Sequence, residues 1–180
     1  MFLLLNKKRS MGRSLVLEIN KYSKNLKANR DWQVSKVYNL EHEFFNNEKK
    51  IEQYEANRIV RKLEKHWKIL ITEIYPEYER EYAGETWPIN KKAAAINIVT
   101  KYLYPSVTIH EVSHGIVDCF TVFHKNTIKE PGHGPFWTGV YAYNLKLILN
   151  KDIREDFKKY SIRSIPHETV QKFREYFISI

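Results

Sequence analysis

Two histidines four residues apart constrain the fold of this chain more than any other feature of its sequence. Pro105 and Ser106 favour the start of a helix over residues 105–123, with Ser106 as the N-cap. One face of this helix is apolar, formed by Ile109, Val112, Ile116, Cys119 and Phe123. His110 and His114 project together from another face, one turn apart, so both imidazoles can reach a single metal ion. The apolar face predicts that this helix packs against a core while its histidines face a site.

The histidines belong to an H-E-x-x-H pattern, which composition alone predicts roughly 0.02–0.03 times in this chain. Histidines at this spacing on a helix are typical zinc ligands. Zinc with three protein ligands keeps a position open for water and lowers the pKa of that water to about 7. Glu111 lies about 100° around the helix from His110, so it can reach the water without binding the metal. The pattern predicts hydrolysis in which Glu111 is the general base and later protonates the leaving amine.

A third zinc ligand must come from outside the motif helix. His133 lies 19 residues after His114, between two glycines that allow the backbone to bend sharply. Pro135 then favours the first turn of a new helix, which would hold the ligand at a rigid position. The alternatives are His124, ten residues after His114, and an acidic side chain. We predict that His133 is the third ligand.

Periodicity over the rest of the chain indicates helices and a few strands, which together predict an α+β fold. Helices are expected from Asp31 to about residue 45, from about Ile51, over 135–149, and from about Asp152 and Pro166 to the chain end. The second of these has an apolar stripe formed by Ala56, Val60, Leu63, Trp67 and Leu70. Strands are expected over 76–82 and 93–100, separated by a loop that contains Gly84 and Pro88.

The net charge of +9 is distributed unevenly. Residues 1–30 contain eight lysines and arginines and one acid, a net of +7, whereas 31–144 have a net of −1 and 145–180 a net of +3. We therefore expect a flexible basic arm over 1–30 and a folded domain over 31–180. The arm suits sequence-independent contacts with DNA phosphates, and the alternative is a solubilising tail.

Three features predict a cytoplasmic protein without a membrane partner. Cys119 is the only cysteine, which excludes an intramolecular disulfide and fits a reducing compartment. No apolar run approaches the length of a transmembrane helix. The apolar start of the chain, residues 1–5, is too short for the core of a signal peptide.

The H-E-x-x-H pattern and the later sequence GHGPFW, residues 132–137, resemble the SprT-like metallopeptidases, the group that includes the DNA-dependent protease Spartan. The resemblance implies zinc bound by His110, His114 and His133, Glu111 as general base, and a protein or peptide substrate. The order of strand, motif helix, ligand loop and helix also resembles the small zincin core. It implies a zincin-like domain whose helices pack on a short antiparallel or mixed sheet.

Residues 31–150 are also similar, more weakly, to short metallohydrolases of actinobacteria and phages, in which a Q-x-x-K-V-Y-like helix (here 33–38) opens the domain. Phe136 stands where Spartan-type proteins have an acidic residue, and the single cysteine leaves no C-terminal Cys₄ zinc ribbon. The resemblance therefore implies the metal site more directly than a role in DNA repair. The alternative function is a non-catalytic nucleic-acid-binding or structural protein in which a fourth protein ligand closes the zinc site.

Several further side chains have two interpretations each. Asp118 either orients a ligand histidine or is an ordinary polar position. Tyr141 and Tyr143 either stabilise an oxyanion or pack in the core. Trp87 is the aromatic residue most suited to contact a substrate or nucleic acid, and an extended substrate is expected to pair along 93–99.

The basic arm generates a test of DNA binding. We expect binding that is insensitive to DNA sequence, with a log–log salt slope of about −0.7 to −0.9 per phosphate neutralised. Removing residues 1–30 should flatten this slope and weaken binding, as measured by DNA titration at several salt concentrations. Equal affinity and slope in the truncated protein would mean that the arm is only a solubilising tail.

Overall fold

The computed structural model describes residues 13–22, 33–76, 83–123 and 132–180. Within these ranges the chain forms seven α-helices, three strands and a short 3₁₀-helix at Thr100–Tyr102. In chain order the helices and strands are α1 (13–22), α2 (Val34–Phe45), α3 (Gln53–Trp67), β1 (Leu70–Ile74), β2 (Gly84–Asn90), β3 (Ala93–Ile98), α4 (Pro105–Phe123), α5 (Pro135–Leu149), α6 (Arg154–Lys159) and α7 (His167–Ser179). This architecture confirms the predicted α+β class. None of the described helices combines the length and apolarity needed to cross a membrane.

The three strands form one mixed sheet with β3 in the centre. β1 runs parallel to β3, and β2 runs antiparallel to it on the other side. Five of the six residues of β3 are buried, as expected for a run of small and apolar residues in a central strand. Because both edges of β3 are occupied, the expected pairing of a substrate along 93–99 is wrong. The edge strand beside α4 is β2, which the sequence had indicated to be a loop.

The helices that flank the site follow the predicted bounds closely. α4 and α5 both begin at a proline. Proline suits the first turn of a helix because backbone N–H groups there have no partner within the helix, so the N–H that proline lacks is not needed. Ser106 is not the N-cap of α4, since it lies inside the helix. The carboxylate of Glu48 accepts hydrogen bonds from both the backbone N–H and the hydroxyl of Ser106. A side chain from a distant loop therefore caps this helix.

The helix α3 ends earlier than its apolar stripe predicts. Four members of the stripe are buried as expected: Ala56, Val60, Leu63 and Trp67. Lys68 then adopts the left-handed conformation, with φ at 50°, which terminates the helix. Leu70, the fifth member, instead belongs to β1 and is 61% exposed. The strand predicted over 76–82 lies, apart from Pro76, outside the described residues.

A chain of buried hydrogen bonds fixes α4 between two other helices. The indole N–H of Trp67 on α3 donates to Asn144 Oδ1 on α5 at 2.8 Å. The amide of Asn144 donates to Ser113 Oγ on α4 at 3.0 Å. Phe173 and Phe177 of α7 pack against Trp67, and Phe120 of α4 and Phe136 of α5 pack against Phe173. The motif helix therefore has a fixed position at the centre of the molecule.

Residues 13–22 fall within the segment predicted to be a flexible arm, and they form α1 instead. Leu15 and Ile19, four residues apart, are buried in the core. The hydroxyl of Thr169 on α7 donates to Glu18 at 2.7 Å. This part of the arm belongs to the folded body because it supplies an apolar stripe. The remainder of 1–30 lies outside the described residues.

Two substitutions test whether α1 is part of the core. Ile19→Ala removes a fully buried side chain and should lower the free energy of unfolding by about 2–5 kcal/mol in denaturant titration. Leu17→Ala is the matched control, because Leu17 is 66% exposed and should change stability by less than about 0.5 kcal/mol. Equal effects would show that α1 is not docked.

The docking of α1 also determines how the arm is tested for DNA binding. Deleting 1–30 would remove Leu15 and Ile19 from the core, so the charges of Lys7, Lys8 and Arg9 should be replaced by glutamine instead.

Candidate metal centre

Three imidazole nitrogens converge at one point of the structure. The Nε2 atoms of His110 and His114 are 3.2 Å apart, those of His110 and His133 are 3.2 Å apart, and those of His114 and His133 are 3.4 Å apart. Nitrogens bound at 2.0–2.1 Å to a tetrahedral zinc ion lie about 3.3–3.4 Å from one another. The triangle of nitrogens therefore has the dimensions that such an ion requires, and the three histidines could hold a metal.

Two elements bring these histidines together. α4 supplies His110 and His114 from successive turns, and His133 lies two residues before α5 begins. The imidazole of His114 stacks on Trp137 of α5, with ring centroids 4.7 Å apart and planes 24° apart. The structure thus places all three predicted ligands in one group, and no carboxylate belongs to that group among the described residues. His124, the alternative ligand, lies outside the described residues.

The protonation of His110 is set by a carboxylate that sequence reasoning missed. Nδ1 of His110 lies 2.8 Å from Glu41 Oε1, on α2. An ionised carboxylate only accepts hydrogen bonds, so Nδ1 of His110 carries the proton. In the neutral imidazole Nε2 then carries the lone pair, and this atom faces the Nε2 atoms of the other two histidines. Such a carboxylate–histidine pair orients a metal ligand and raises its basicity.

Electrostatics keep these groups in the states that metal binding needs. Burial, together with the neighbouring His110 and His133, holds the pKa of His114 well below its usual value. His114 is therefore neutral at pH 7. Burial alone would raise the pKa of Glu41, but the electrostatic attraction and hydrogen bond of the His110 ring outweigh it and lower that pKa. Glu41 therefore remains an acceptor.

Glu111 lies beside the three histidines with its side chain buried. The hydroxyl of Thr86 on β2 donates to Glu111 Oε2 at 3.1 Å. Burial raises the pKa of Glu111, which brings this carboxylate closer to the range useful for proton transfer near pH 7. Gly84 passes directly over it, because a Cβ atom at this position would lie 2.5 Å from the carboxyl carbon of Glu111. β2 thus holds the predicted general base in place.

A cavity of about 340 Å³ opens beside His110. Its walls include His110, Glu111, Tyr38 and Gly84. The ring of Tyr38 stacks on His110 with a centroid distance of 6.0 Å and meets His133 edge-on at 5.5 Å. Tyr38 remains 52% exposed, so it forms part of the wall that a ligand entering the cavity would meet.

The structure shows what surrounds the other residues for which the sequence left two interpretations. Glu41, rather than Asp118, contacts a ligand histidine, and burial beside Glu111 raises the pKa of Asp118 to about 6. Tyr143 forms a hydrogen bond with His66, and its hydroxyl oxygen lies 3.0 Å from His66 Nε2. Tyr141 is buried behind His110, where burial and Glu41 raise its pKa well above the usual value.

Two remaining expectations concern β2 and α4. Trp87 is 41% exposed on β2, which agrees with the prediction of an accessible aromatic side chain. Cys119 is buried on α4, and burial raises the pKa of its thiol to about 12. Because the thiolate is the reactive form, this cysteine is inert, as predicted.

Comparisons with models of protein families, with curated proteins and with solved structures found no match for this chain. The functional argument therefore depends on the geometry of the site and on the sequence pattern that builds it.

The contact between Glu41 and His110 generates a prediction about zinc affinity. Glu41→Ala removes the acceptor that orients His110 and should weaken zinc binding about 10–100-fold in a chelator competition. Glu155→Ala is the matched control, since Glu155 is 86% exposed on α6 and distant in sequence from all three histidines. His133→Ala should lose most of the zinc. Wild-type affinity in Glu41→Ala would contradict the role assigned to Glu41.

Proposed function

We propose that this protein is a zinc-dependent metallopeptidase that hydrolyses peptide bonds. The observation that carries the proposal is the convergence of three imidazole Nε2 atoms beside a buried glutamate at the wall of an open cavity. The three histidines would hold zinc, which suits nitrogen ligands in tetrahedral geometry. When bound, zinc activates water for attack at neutral pH and polarises a carbonyl oxygen.

Glu111 has the position and the environment of a general base. Its carboxylate shares the cavity wall with His110, and Thr86 restricts its rotation. Glu111 would accept a proton from the attacking water and later deliver it to the nitrogen of the leaving amine. The raised pKa favours this second step, because a carboxyl group of higher pKa holds the proton until the amine takes it.

The position of the cavity suggests how a peptide would bind. β2 forms the wall near Glu111, and among the described residues it pairs only with β3, along one of its edges. An extended peptide could pair with the other edge, since exposed strand edges bind peptides through main-chain hydrogen bonds. Trp87 and Ile89, both exposed on β2, would contact its side chains.

The number of ligands favours catalysis over the alternative of a structural zinc protein. Structural zinc sites have four protein ligands, whereas catalytic sites have three and an open position. Among the described residues the histidine group contains three members, and the cavity reaches one of them. DNA-associated proteins are a proposed substrate class that depends on the basic residues before α1, and the DNA titration described above tests it.

One substitution tests the proposed chemistry. Glu111→Gln keeps the size of the side chain and a hydrogen bond to Thr86 but removes the base. We expect the variant to retain zinc and the wild-type unfolding midpoint while it loses proteolysis about 10²–10⁴-fold. Cleavage of an unfolded protein such as casein, followed by gel electrophoresis and mass spectrometry, gives the readout. The control is Glu155→Gln on the exposed face of α6. Undiminished cleavage by Glu111→Gln would refute the mechanism.

A further inference from the structure

The backbone next to His133 is held by a buried side chain on a different element. Gln33, at the N-cap of α2, is fully buried. Its Nε2 donates to the carbonyl of His133 at 2.7 Å and to the carbonyl of Arg163 at 3.2 Å. Its Oε1 accepts a hydrogen bond of 2.5 Å from the backbone N–H of Arg163. The side-chain amide of Gln33 therefore forms hydrogen bonds through both of its N–H groups and through its oxygen. These bonds join α2 to segments that lie 100 and 130 residues further along the chain.

Arg163 belongs to the connector between α6 and α7, residues 160–166. This connector is also attached to the first turn of α5, because Thr138 Oγ1 donates to the carbonyl of Arg163 at 2.7 Å. The N–H of Ile165 donates to the carbonyl of Pro135 at 2.9 Å. Gly139 allows the contact to be close, since a Cβ atom there would lie 2.4 Å from Ile165 Cγ1. The connector thus lies directly on the helix that follows His133.

The connector is attached to α2 as well. Lys36 donates to the carbonyl of Ser161 at 3.1 Å, and Glu43 accepts hydrogen bonds from Lys159 and Tyr160. Residues 159–165 therefore lie between α2 and α5, and the backbone of His133 is at the junction of all three segments.

His133 depends on such contacts in a way that the other two histidines do not. The helix α4 sets the spacing of His110 and His114 through its own backbone. By contrast, His133 lies in a turn at residues 132–134, outside any helix. The predicted bend is present, but neither glycine has a positive φ, and Gly134, with φ −71° and ψ 177°, has an extended conformation that any residue adopts. Long-range hydrogen bonds rather than glycine freedom therefore hold the backbone of His133 in place.

We propose that the connector 160–166 is part of the metal centre and that Gln33 is the positioning residue through which it holds His133. This inference rests on the metal site of the proposed function, although not on its hydrolytic activity. α2 would then support two ligands, His133 through Gln33 and His110 through Glu41, two turns further along the helix. The C-terminal α6–α7 region contributes to metal affinity without supplying a ligand.

The test compares zinc dissociation constants measured by chelator competition. Gln33→Met has a similar shape but removes the hydrogen bonds to His133 and Arg163, and zinc binding should weaken about 10–100-fold. Gln53→Met, an exposed glutamine of α3, is the matched control and should bind zinc as the wild type does. Leu63→Ala is a second control that destabilises the core, and its folded form should keep wild-type affinity.

A double-mutant cycle separates positioning from general destabilisation. If Gln33 acts through His133, then Gln33→Met should have almost no further effect on zinc affinity in a His133→Ala background. Additive losses would overturn the assignment. If Gln33→Met does not fold, Thr138→Val removes the hydroxyl that donates to Arg163 and should weaken zinc binding several-fold.

The outcomes also distinguish this inference from the proposed function. Zinc bound equally by wild type and Gln33→Met overturns the inference and leaves the peptidase proposal standing. If Gln33→Met binds zinc more weakly than the wild type does, the inference is supported. If the wild type in the same experiments cleaves no peptide bond, the peptidase proposal is contradicted. A wild-type chain that binds no zinc overturns both.

Discussion

The approach of three imidazole Nε2 atoms to 3.2–3.4 Å is the constraint on which the rest of this structure depends. Because Nδ1 of His110 donates to Glu41, its Nε2 presents a lone pair to the other two nitrogens. Lone pairs at this distance repel unless a cation lies among them. The rigid helix α4 supplies one edge of the triangle, and contacts from α2, α5 and the α6–α7 connector hold His133 against it.

Two carboxylates beside this triangle, the half-buried Glu41 and the buried Glu111, have opposite electrostatic environments. Contact with His110 lowers the pKa of Glu41, whereas burial raises that of Glu111. A pair of titratable groups with pKa values displaced in opposite directions is typical of sites in which each has a separate role. Here Glu41 contacts His110, and Glu111 lies at the wall of the cavity.

The sequence predicted the elements whose signals are local. α4, α5 and β3 were recognised from helical periodicity, helix-start prolines and a continuous apolar run, all of which act within a few turns of chain. β1 and β2 were missed, because their residues alternate weakly and become strands only by pairing with β3. α1 was assigned to a flexible arm, since two buried residues, Leu15 and Ile19, are a weak signal until α7 and the core are in place.

The same distinction applies to the site. The sequence alone predicted that His110 and His114 share one face of a helix with Glu111 beside them, because an i, i+4 pair on a helix has a defined geometry wherever the helix lies. Only the tertiary structure decided that His133 meets that pair, that Glu41 rather than Asp118 contacts His110, and that Gln33 donates a hydrogen bond to the backbone of His133. The physical reason is that hydrogen bonds between residues 69 to 130 positions apart depend on how helices pack, and no local pattern encodes that packing.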